Sequence, residues 1–100
     1  MQDNEFINEC KFRVTCYHND KVDTLKGENN FINKEDVHCV WYNKSLQNFK
    51  GLFVAIPLDG RYYECTYNGD KKELYLDIYK KEENKCIKLK EEENQYDTRI

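Results

Sequence analysis

The sequence predicts a mainly β protein: a small antiparallel barrel or sandwich of six or seven short strands, with one short helix near residues 43–50. Two observations lead there. Apolar and polar residues alternate in several short runs, the period of a strand with one buried face. Turn formers at Asn19-Asp20, Asp59-Gly60 and Asn68-Gly69 punctuate those runs.

Residues 10–18 alternate, with Cys10, Phe12, Val14, Cys16 and His18 on one face and Lys11, Arg13, Thr15 and Tyr17 on the other, which reads as a half-buried strand. Upstream, either Asp3 or Asn4 caps a single helical turn through Phe6 and Ile7, or the strand starts earlier. Lys21–Lys26 reads as a returning strand, and Asn33–Asp36 as a capped turn. Val37–Tyr42 is apolar on both faces, as a well-covered strand would be. Asn43–Lys50 is the helix candidate: Asn43 can cap it, Leu46 and Phe49 lie three apart, and Gly51 stands where helices stop. Leu52–Ile56 is a continuous apolar strand ended by Pro57. Cys86–Lys90 supplies the last strand, and residues 91–100 are too charged for core, so they read as a loosely ordered tail of a single domain spanning 1–100.

Residues 61–79 form the clearest hairpin, two alternating runs about Asn68-Gly69. A two-residue loop sets Glu64 against Glu73, whereas a four-residue loop over Asn68–Lys71 pairs Cys65 with Leu74 and Tyr63 with Leu76. Both registers turn Tyr63, Cys65, Leu74 and Leu76 inward, because a shift of two residues preserves the face. Trp41, Phe53, Val54, Leu74, Leu76 and Ile78 are the expected centre of the core.

Composition narrows the function. Charged residues make up 35% of the chain, yet one Trp, five Phe and eight Tyr provide enough burial per residue to favour order over disorder. The net charge of −3 is spread over both halves, which argues against a basic nucleic-acid footprint. The N-terminal residues form no apolar leader, and the longest apolar run is far too short to span a membrane, so the expected location is the cytoplasm. Five cysteines in such a protein are expected to be reduced.

No motif announces chemistry. Cys10, Cys16, His18, His38 and Cys39 are metal-ligand types without metal-ligand spacing, so neither metal nor cofactor is expected. A thiol nucleophile needs a base within reach and an orienting third group, and none is identifiable for Cys16 and His18. The remaining signal is the outward face of the 61–79 hairpin, where Tyr62, Tyr75 and Tyr79 stand with Asp77, and with Arg61 at the edge. Tyrosine offers large rigid area with a polar tip, which suits a protein interface. The expectation is a non-enzymatic binding module, an inhibitor or immunity-type protein of the kind phages encode, acting by occupying a partner protein's surface. The alternatives are a barrel that stacks single-stranded nucleic acid on the same tyrosines and a barrel with an internal small-molecule pocket.

Overall fold

In the computed structural model, which describes residues 1–90, Asp3–Asp20 forms one 18-residue helix, α1. Phe6, Cys10, Val14 and His18 stack along one side of it and are buried, with Ile7 and Tyr17 flanking them. This replaces the strand expected over residues 10–18. Residues four apart satisfy a period of 2 as well as a period of 3.6, so Cys10, Val14 and His18 fit either element. Phe12 and Cys16, which favoured the strand, are exposed. The helix is started by Glu5, whose carboxylate accepts the Gln2 N–H at 2.6 Å, and by acidic residues in its first turn.

The segment after α1 is held by side chains rather than by strand pairing. Thr24–Lys26 is a single 3₁₀ turn where a returning strand was expected. Asn19, at the end of α1, accepts the Ile32 N–H at 2.9 Å and donates to the Ile32 carbonyl at 3.0 Å, and Ile32 is buried. The capped turn expected near residue 33 is present as a 3₁₀ turn over Lys34–Asp36, with Asp36 accepting the Asn33 N–H.

Four antiparallel strands follow in chain order: β1 (Val37–Ser45), β2 (Asn48–Ala55), β3 (Arg61–Asn68) and β4 (Glu73–Lys80). Among the described residues they form one open sheet, with α1 across one face, in place of the expected six- or seven-stranded barrel or sandwich. Residues 86–90 are exposed and irregular, so no strand forms there. The tail expected at 91–100 lies outside the described residues.

The helix expected at 43–50 is instead the β1–β2 hairpin. Ser45 pairs with Asn48 across a Leu46-Gln47 loop in which Leu46 takes φ 59°. Tertiary burial decides here over local pattern: Phe49, Gly51, Phe53 and Ala55 alternate inward beneath α1, and the Phe49 ring stacks on Phe6 at 4.7 Å. Gly51 is therefore no helix stop. A side chain at Gly51 would come within 3.2 Å of the Phe6 ring and of the Trp41 carbonyl, so its absence lets α1 approach the sheet.

The core comprises Phe6, Cys10, Val14, Ile32, Val37, Phe49, Phe53, Ala55, Tyr63 and Cys65. Of the residues expected at its centre, Phe53 is fully buried, Val54, Leu74, Leu76 and Ile78 are half-buried, and Trp41 is exposed. Trp41 is displaced by a bulge in β1: Cys39 pairs with Phe53 on the inner face, yet Trp41 pairs with Leu52 on the outer one. In the β3–β4 hairpin, Cys65 pairs with Leu76 and Tyr63 with Ile78, a register two residues from the expected one that keeps the same residues inward. Asn68 shapes the loop by accepting the N–H groups of Asp70 and Lys71. Gly69 gives close approach: its N–H donates to Asn48 Oδ1 at 2.9 Å, and a side chain there would collide with Gln47.

Candidate functional site: the uncovered face of the sheet

Strand alternation under α1 sends every second residue to the far side of the sheet. One row across that face reads Trp41–Leu52–Glu64–Asp77, and the next Asn43–Lys50–Thr66–Tyr75. Tyr62 pairs directly with Tyr79 at one end of the hairpin. Trp41, Tyr62, Tyr75 and Tyr79 are 45%, 44%, 50% and 52% exposed, and Leu52 and Val54 lie half-buried between the strands. Fully burying a large apolar side chain is worth roughly 1.5–3 kcal/mol, so four aromatics about half in water on one face form a surface with something still to gain from a partner.

The charged groups of this face are mostly acidic. Glu64 and Asp77 stand opposite each other, which like charges disfavour, and Lys50 reaches Glu64 at 3.7 Å. The Tyr75 hydroxyl donates to Glu73, and the Tyr79 hydroxyl lies 3.4 Å from Glu64. The Glu64 charge pushes the Tyr79 phenol up, and the hydrogen bond to Glu73 does the same to Tyr75, so both rings stay neutral at physiological pH.

Of the residues expected to form a site, Tyr62, Tyr75, Tyr79 and Asp77 share this face. Arg61 does not. Its side chain turns to the helix side, 3.3 Å from Asp59 and 5.6 Å above the Tyr17 ring. Trp41, expected in the core, belongs with the tyrosines instead, because the bulge brings it round to this face.

Arg61 is part of a second polar cluster. His18 is 5% exposed, with Nδ1 3.1 Å from Asp59 Oδ2 and Nε2 2.9 Å from the Asn30 carbonyl. Asp59 also accepts the Tyr63 hydroxyl at 2.6 Å and the Arg61 N–H at 3.0 Å. Burial pushes the Asp59 carboxyl up, but the bonds from Tyr63, His18 and Arg61 outweigh it and hold it below its ordinary 3.8. Burial, with Asp59 as hydrogen-bond acceptor, pushes the Tyr63 phenol up to about 12. A histidine–aspartate pair invites a catalytic reading, but catalysis would need the second ring nitrogen to face a substrate or nucleophile. Here a main-chain carbonyl occupies it, so the cluster is a clasp tying α1, the 21–33 segment and the β2–β3 loop. Nothing local in the sequence joins His18 to Asp59.

Cys10 and Cys65 meet in the core as free thiols, and the hydrogen bond between them together with burial pushes the Cys10 thiol far up. Such a thiol is a poor nucleophile. Among the described residues, no group of three or more His, Cys, Asp or Glu side chains is arranged to hold a metal ion. No described helix is long and apolar enough to cross a membrane.

Among the described residues, fold and surface together define a small antiparallel sheet with one face covered by a helix and the other bare. The chain belongs to DUF6275, a family of unknown function whose pattern spans residues 7–89, from the first turns of α1 to beyond β4. No curated protein and no solved structure matches the chain.

Proposed function

We propose that this protein is a non-enzymatic binding module that occupies the surface of a partner protein with the bare face of its sheet. The observation that carries the reading is the grouping of Trp41, Tyr62, Tyr75 and Tyr79, all about half exposed, on the one face that α1 leaves open. Aromatic anchors with polar tips supply binding energy at small entropic expense. The carboxylates of Glu64, Glu73 and Asp77 between the rings select a partner surface rich in Lys or Arg, whose cations also stack on tyrosine faces. An inhibitor or immunity-type role in the cytoplasm, of the kind phages encode, suits a small acidic domain that works by covering a surface.

The two alternatives find less support. Nucleic acid would need several cations beside the tyrosines, but Lys50 is paired with Glu64, and Lys71 and Lys72 lie at one end of β4 and Lys80 and Lys81 at the other, with acidic residues between. An open sheet also lacks the enclosed interior that a small-molecule barrel requires.

The experiment is a Tyr75→Ala/Tyr79→Ala variant, read for thermal stability and for binding to the partner recovered by pull-down. Both rings are half exposed, so folding should survive. Binding should weaken by about 2 kcal/mol or more per anchor, roughly thirtyfold each. Unchanged binding would move the site elsewhere, and lost folding would make the tyrosines core.

A further inference from the structure

β4 forms one edge of the sheet, and the direction of its main-chain groups follows from one bond. Lys81 N–H donates to the Gly60 carbonyl at 2.8 Å, and hydrogen-bonded positions in an antiparallel pair recur every second residue. Given the β3–β4 register, Glu73, Tyr75, Asp77 and Tyr79 turn their main-chain groups toward β3. The N–H and C=O groups of Leu74, Leu76 and Ile78 therefore point out of the sheet, and among the described residues no strand lies on that side. The same three side chains face the helix side, but α1 packs mainly on β1, β2 and β3, which leaves them half-buried. An open groove of about 500 Å³ separates α1 from β4, with Phe6, Arg13, Leu74 and Leu76 among its walls. The opposite edge, β1, is blunted by its bulge, whereas β4 has neither bulge nor proline.

We propose that β4 pairs antiparallel with β4 of a second copy of this chain, about a twofold axis through Leu76, joining the two sheets into one. The strand complements itself in that register. Leu74 meets Ile78 of the second copy, Leu76 meets its own counterpart, Tyr75 meets Asp77, and Glu73 meets Tyr79. Leu74, Leu76 and Ile78 each give and accept a main-chain bond, and their side chains line up as a continuous apolar strip. Charge selects the register. An axis through Asp77 would set two carboxylates face to face, one through Tyr75 would set Glu73 against Asp77, and one through Ile78 would strand Leu74 outside the pairing. Lys80 meets only the turn residue Lys72, where the strand has ended.

Sedimentation of the purified full chain, without any partner, tests this and is separate from the test of the tyrosine face. The expected result is a species of twice the 12.1 kDa chain mass that dissociates on dilution. By NMR, the amides of Leu74, Leu76 and Ile78 should exchange slowly when concentrated and lose that protection on dilution, while those of Tyr75 and Asp77 stay protected by β3. Tyr75→Glu places an acid opposite Asp77 twice per dimer and should shift the equilibrium to monomer at least tenfold. Adding Asp77→Lys reverses the sign across each pair and should restore the dimer. A wild-type chain that stays monomeric to millimolar concentration, a dimer insensitive to Tyr75→Glu, or no rescue by the second change would each overturn the proposal.

Discussion

Leu46 adopts φ 59° in the tight loop between β1 and β2, a conformation in which an L-residue's Cβ crowds the following carbonyl. Its side chain is 83% exposed, so it gains little packing in return. Glycine would relieve roughly 1–2 kcal/mol of strain and forfeit about 0.5–1 kcal/mol through its freer unfolded chain. Leu46→Gly should therefore stabilise the protein by about 0.5–1 kcal/mol, read as a higher urea midpoint at unchanged slope. A fall in midpoint would show that Leu46 contributes a contact its exposure does not reveal. The clasp shows a different single-residue logic. Both His18 ring nitrogens face oxygen atoms, the Asp59 carboxylate and the Asn30 carbonyl, so one side chain ties α1 to two separate segments.

At the scale of elements, the helix–sheet contact turns on two positions, Phe6 and Gly51. Phe6→Ala removes a fully buried ring that stacks on Phe49 and should cost about 3–5 kcal/mol. Gly51→Val fills the space that ring uses and should cost about 1–3 kcal/mol by overpacking. Chemical denaturation of both variants checks the pair. If Gly51→Val is neutral while Phe6→Ala is severe, the sheet has room that the contact distances deny. The same contact explains what could be read from the sequence. The β3–β4 hairpin was legible because its alternation is unambiguous, and its inward residues were correct despite a slipped register, since face depends only on parity. The turn at 33–36 was legible too, and so was a strand at 37–42, but not its surroundings: expected to be covered on both faces, it is an edge strand exposed from Val40 onward, because apolar residues alone do not show whether a second layer exists. α1 was not, because a four-residue spacing carries both periods and the exposed Phe12 tipped the balance. The hairpin at 43–50 was missed because Gly51 looks like a helix stop until Phe6 is known to lie above it. On the candidate site, three tyrosines and Asp77 could be assigned a face from β3 and β4 alone. Trp41 needed the bulge, and Arg61 needed Asp59.

At the scale of the whole molecule, acid should loosen the clasp. Asp59 titrates below its ordinary 3.8 in the folded protein, so the unfolded chain takes up that proton more readily. The stabilisation is complete above the ordinary value and is lost as pH falls through the lowered folded value. Wild-type melting temperature should thus decline below about pH 4, and Asp59→Asn should lower stability at neutral pH while flattening that decline. An unaltered acid slope in the variant would remove Asp59 from the account. The order of elements along the chain has a further effect, on how the molecule is made. The sheet is a simple meander whose neighbours are also neighbours in sequence, so each hairpin can close as soon as it is synthesised. α1 is different: it is translated before the strands, and Phe49, Phe53, Tyr63 and Cys65, which cover its apolar stripe, come much later. Until β2 and β3 have emerged the nascent chain therefore carries an uncovered row of Phe6, Cys10 and Val14, and complete docking of the helix waits on strands made after it.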